Sequence, residues 1–176
     1  MNRCTFFCSS IVAIIALTIG TSSNTTASTD NSNSQISLSF GDVIDIAQVD
    51  DITITDPTPG QNAVGIDEFC VAGTGFSNFS ITFESVDGVF DPAFIMTDGN
   101  INVPYSVGFD NGLNGSFHLI GPRIPFQGNL ISAQYCDDNQ ENVRFAVTIL
   151  SGVWQYPPVS HGGPYHDTLM ITVASE

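Results

Sequence analysis

Hydrophobic and polar positions alternate along most of this chain. In Gln35–Phe40, Ile36, Leu38 and Phe40 are separated by Ser37 and Ser39, which predicts a strand with one apolar face. Gly41-Asp42 interrupts it. Val43–Val49 resumes the pattern with Ile44 and Ile46 in phase, and Asp51–Thr55 repeats it through Ile52 and Ile54. Asp56–Asn62 (DPTPGQN) is a turn or loop. Beyond it, strands are predicted at Phe69–Ala72, Phe79–Glu84, Ile101–Phe109, Phe117–Ile120, Val143–Leu150 and Thr168–Val173. Each run is short, rich in β-branched or aromatic residues, and bounded by Gly, Pro, Asn or Asp. About eight such runs, with no sustained 3.6-residue period, predict an all-β chain folded as one antiparallel sandwich or barrel.

The first residues read as a targeting segment. Arg3 precedes the apolar run Ile11–Ile19, and small residues follow. The run is far shorter than the roughly 20 residues a membrane span needs, and the arrangement is that of a secretory signal peptide. Cleavage after Ala27 assigns residues 1–27 to the signal; cleavage after Gly20 is the alternative. Cys4 and Cys8 leave with it. The polar stretch 21–34 is low in complexity and is expected to be flexible. Residues 28–40 are then a leader ending in the first alternating strand, and 41–176 the folded domain. Two cysteines remain in an exported chain, Cys70 and Cys136, and they are expected to form a disulfide.

Charge narrows the partners. Three arginines and no lysine face 18 acidic residues, for a net charge of −15. Nucleic acid is excluded, because phosphate binding needs clustered Lys and Arg. Chemistry is scarce. The only histidines are His118, His161 and His166. No nucleophile elbow marks a serine, and neither cysteine has a second Cys or His at ligand spacing. Asp137-Asp138-Asn139-Gln140-Glu141 offers hard oxygen ligands, but it lacks the spacing of a calcium loop and reads as a solvated acidic turn. No catalytic residue, metal site or cofactor is expected, and the chain is not expected to be an enzyme.

The two ends of the exported chain carry the most information. Gly163-Pro164-Tyr165 leads into an alternating strand with Leu169, Ile171 and Val173 in phase. A turn, a tyrosine and then a strand is how a tyrosine corner begins, with the hydroxyl of Tyr165 tied back to nearby backbone. Glu176 follows within a few residues, so this strand would have no successor to cover its flank. An exposed apolar edge is a hazard that stable monomers avoid. A spare strand at the start and a missing one at the end are both answered by strand donation between subunits.

At these two ends the chain resembles the pilins assembled by chaperone and usher. It is similar to the alternate, alpha-class pilins of colonisation-factor fimbriae in Ile36-Ser37-Leu38-Ser39-Phe40 followed by Asp42-Val43-Ile44-Asp45-Ile46. It is similar to the archaic spore-coat-U type in Gly163-Pro164-Tyr165 through Asp167. The resemblance implies an immunoglobulin-like antiparallel β-sandwich that is incomplete, its last strand supplied first by a periplasmic chaperone and then by a neighbouring pilin subunit at the outer-membrane usher. Ile36, Leu38 and Phe40 would be the donor side chains. Ile44 and Ile46 on one side and Leu169, Ile171 and Val173 on the other would line the acceptor groove. The chaperone would hold the terminal carboxylate of Glu176. The product would be a cell-surface fimbrium serving adhesion or biofilm formation, reached by secretion through the periplasm, with any host or surface ligand unspecified. The alternative is a self-contained secreted binding module, its sugar platform built from Trp154 and Tyr156 beside Pro157-Pro158.

Overall fold

The computed structural model describes residues 35, 37–39, 41–88, 93–137 and 140–176. The chain divides into two units, Met1–Leu38 and Ser39–Glu176. In the first, the described residues Gln35, Ser37 and Leu38 form no strand, and Leu38 is 79 % exposed. The signal segment, most of the leader, Ile36 and Phe40 lie outside the described residues.

The second unit is an antiparallel β-sandwich. Its strands are β1 (Val43–Ala47), β2 (Ala63–Thr74), β3 (Asn78–Ser85), β4 (Ile95–Thr97), β5 (Asn102–Pro104), β6 (Ser106–Asp110), β7 (His118–Ile120), β8 (Phe126–Leu130), β9 (Val143–Ile149) and β10 (Leu169–Ser175). Two four-residue helices, α1 (Ser151–Trp154) and α2 (Pro157–Ser160), lie between β9 and β10. One sheet has the order β1-β2-β9-β6-β7, the other β10-β3-β8, and β4-β5 is a separate hairpin. With β1, β2, β3, β6, β9 and β10 taken as A to F, the sheets read A-B-E-D and F-C, each extended by one strand. That is the immunoglobulin order with no strand beside F among the described residues.

Period-2 alternation builds the core. β3 buries Phe79, Ile81, Phe83 and Ser85 and leaves the residues between them half-covered. Opposite it, Phe69, Phe109, Val143 and Phe145 point inward from the larger sheet. The rings interlock, with Phe83 5.6 Å from Phe145 and Phe69 5.9 Å from Phe145 in edge-to-face contact. A second cluster forms around Ala63, Val103 and Ile149 and takes in Trp154 and Tyr165.

Besides β4 and the two short helices, which the sequence pattern does not predict, the structure departs from it in four places. The strand expected at Phe69–Ala72 extends from Ala63 to Thr74, because Gly65 and Asp67 occupy inward positions where the pattern asks for large apolar residues. Gly65 is filled from outside: a Cβ there would collide with Ile52 Cγ2 and lie 3.2 Å from Ile54 Cγ1. The strand expected at Asp51–Thr55 is absent. Gln48 adopts a left-handed φ of 64°, and the chain stops pairing with β2 after Ala47↔Cys70. Asp50 N–H then donates to Asp67 Oδ2 at 3.1 Å in place of a ladder bond, while Ile52 and Ile54 keep their alternation and pack on the core. The single run expected at Ile101–Phe109 is cut at Tyr105 into β5 and β6, which pair in different sheets. Finally β8 (FQGNL) escapes the pattern, since its buried residue is Asn129 and Gly128 has φ 77°.

Cys70 and Cys136 are joined, with Cα atoms 5.8 Å apart. Beside them β9 leaves β2 at Val143, and the Asn142 side chain continues the ladder. Its Oδ1 accepts from Val71 N at 2.9 Å and its Nδ2 donates to Val71 O at 2.8 Å.

Candidate functional site: the uncovered edges β1 and β10

β10 forms one ladder, on β3. The register runs from Leu169↔Ser85 to Ser175↔Phe79, bracketed by Val86 N–H to Thr168 O at 3.0 Å and Glu176 N–H to Asn78 O at 2.9 Å. Among the described residues no strand pairs with its other side. β1 is likewise the end strand of the larger sheet. Leu169, Ile171 and Val173 from β10 and Ile44 and Ile46 from β1 all pack on the same core cluster, yet all five stay partly exposed. The inward rows of the inner strands are buried, apart from Gly65 in β2. Ile52 belongs to the same half-covered set, and sequence reasoning placed it in a strand instead.

The start of β10 is held by hydrogen bonds. Asp167 Oδ2 accepts from the Tyr105 hydroxyl at 2.5 Å, and Oδ1 accepts from Asp87 N at 3.2 Å. Burial, followed by the hydrogen bond and charge of Asp167, raises the Tyr105 hydroxyl above the ordinary tyrosine range. Tyr105 also stacks on Phe94, with centroids 5.5 Å apart. Nothing in the local sequence marks Tyr105, since it and Asp167 are 62 residues apart and only the fold brings them together. Tyr165 is half-buried in the second cluster, and its hydroxyl donates to Val159 O at 3.2 Å and Pro158 O at 3.4 Å. At the far end of β10, Glu176 Oε2 accepts from Gly128 N at 2.9 Å.

The other candidate residues are dispersed. His166 bridges to Thr97, and His161 Nδ1 lies 2.7 Å from Pro157 O. Asp138 and Asn139 of the acidic turn lie outside the described residues. Trp154 is half-buried with its Nε1 donating to Gln61 O at 3.0 Å, while Tyr156 is exposed. Arg123 pairs with Glu84 at 2.9 Å and Arg144 with Asp110 at 3.0 Å.

No protein-family model and no curated protein matches the chain. Among solved structures it is similar to a chain of a chaperone–tip adhesin complex described as vital for synergistic activation of CFA/I fimbriae biogenesis. The TM-score is 0.46 and the sequence identity 17 %, with 74 % of this chain and 39 % of that chain aligned. The chain thus spans well under half of that neighbour's length.

Proposed function

We propose that the chain is a non-catalytic structural subunit of a cell-surface fimbria, exported by its N-terminal signal and completed by a strand from another molecule. A periplasmic chaperone supplies that strand first. At the outer-membrane usher, residues 35–40 of a neighbouring subunit replace it. The observation that carries this reading is the inward row Leu169, Ile171 and Val173, which has the phase and register of a core strand and stays partly exposed beside a strand edge that pairs with nothing among the described residues. An incoming strand would pair with the free side of β10 and lay alternate side chains over the row. Full burial of Ile36, Leu38 and Phe40 contributes about 1.5–3 kcal/mol each, before the cost of ordering the donor.

The test compares adjacent positions. Leu38→Asp puts a carboxylate where an apolar side chain is needed, whereas Ser37→Asp adds the same charge on the alternate face. Leu38→Asp is expected to abolish polymerisation with the chaperone-bound subunit still folded, and Ser37→Asp to be tolerated. Equal impairment by both defeats strand donation by this segment. Unfolding of an isolated chaperone-free monomer by Leu38→Asp assigns the strand to its own sandwich and favours the self-contained binding module.

A further inference from the structure

At the opposite side of the sandwich from β1 and β10, the other two end strands, β7 and β8, flank a cleft of ≈ 300 Å³. Its floor is Asn129, only 4 % exposed. The amide nitrogen of Asn129 is spent on Phe79 O at 3.1 Å and Phe126 O at 2.7 Å, which fixes the side chain. Among the described residues its Oδ1 accepts nothing, and the atom is not itself buried, so it stands open to the cleft. At the rim the exposed Asn111 makes one bond, Nδ2 donating to Leu130 O at 3.2 Å, and its Oδ1 faces solvent. One wall is aromatic, with the His118 ring stacked on Phe126 at 5.5 Å and 29°. The charge of Asp110 in the cleft is offset by Arg144 at 3.0 Å, itself seated on the Phe117 ring.

These features select a ligand chemistry. The fixed amide oxygen of Asn129 and the solvent-facing one of Asn111 can each accept from a donor, and the His118 nitrogens and Gln127 amide can give or accept hydrogen bonds. An aromatic face asks for a flat apolar surface. The offset carboxylate and the strongly acidic chain disfavour an anion. We propose that this cleft binds a neutral saccharide ring, its hydroxyls donating to Asn129 Oδ1 and Asn111 Oδ1 and its C–H face lying against His118. Its volume is at the small end for ligand sites, which suits a single ring. This inference does not rest on strand donation, because β7 and β8 are the edges that such donation leaves free.

The experiment titrates the purified full-length protein with D-glucose, D-galactose, D-mannose and N-acetyl-D-glucosamine, following backbone amide resonances. At least one sugar is expected to give saturable shifts at His118, Gly128 and Asn129. His118→Ala, a change at an exposed side chain, is expected to weaken that binding about fivefold, the scale of one lost hydrogen bond, with an unchanged melting temperature. Gln127→Ala, also exposed, serves as the second variant if His118→Ala alters folding. The proposal is overturned if no sugar gives a saturable shift, if a folded His118→Ala or Gln127→Ala variant binds as the parent does, or if calcium chloride alone saturates the same amides.

Discussion

β3 and β10 are antiparallel neighbours in one sheet, and their inward residues form direct pairs such as Ile171↔Phe83. Both alternate with period two. In β3 the inward row is fully buried; in β10 it stays half-exposed. Composition does not account for this, since Leu, Ile and Val are as apolar as the residues they meet. Position does. β3 has a strand on each side and a second sheet above it, whereas among the described residues β10 pairs with one neighbour. A strand's sequence sets which residues face the core, and its neighbours set whether water is excluded there.

The comparison predicts unequal costs for equal changes. Phe83→Ala is expected to cost about 3–5 kcal/mol in denaturant unfolding, because it empties a buried site among Phe109 and Phe145. Ile171→Ala in the chaperone-free chain is expected to cost only about 1–2 kcal/mol, since its side chain is already partly exposed to water. A peptide of residues 35–40 added to a variant lacking residues 28–40 is expected to raise the melting temperature by mass action, and less so with Ile171→Ala. Equal costs for Phe83→Ala and Ile171→Ala, or no response to the peptide, would erase the distinction between the two strands.

Removing the disulfide tests the sandwich from the β2 side. Cys136→Ser is expected to destabilise by up to about 4 kcal/mol if chain entropy dominates, measured under oxidising conditions against the parent. The entry of β10 is tested by Tyr105→Phe, which leaves Asp167 without its hydroxyl donor. A loss of about 1.5–3 kcal/mol is expected, with faster hydrogen exchange in β10 than in β3. Uniform exchange in the two strands would show that Tyr105 does not anchor β10 selectively.

The smallest effect concerns Asp67, which is 7 % exposed and binds Asp50 N. Burial raises its carboxyl above the ordinary range, against the lowering effect of that hydrogen bond. Between its unfolded and folded values the folded chain holds the extra proton, so stability falls as pH rises through that window. Asp67→Asn keeps an acceptor and removes the titration. It is expected to flatten stability across the acid range, by less than about 1 kcal/mol, in melting curves taken against pH. An unchanged pH profile would place the dependence on other carboxylates.

The sequence by itself determined the β class, the phase of most strands and the inward phase of Ile44, Ile46, Leu169, Ile171 and Val173, because alternation and turn residues act over a few neighbours. Tertiary structure alone decided which alternating runs become ladders. Asp51–Thr55 alternates as well as β10 does, yet the left-handed turn at Gln48 and the carboxylate of Asp67 take it out of the sheet. Tertiary structure also decided that Gly65 and Asn129 are inward positions: one is filled by Ile52, and the other is held by carbonyls from Phe79 and Phe126. Coverage of a row and completion of a ladder depend on residues distant in the chain. No local pattern records them, and that is why the half-covered edge at β10 and the cleft at β8 emerge only once the strands are set side by side.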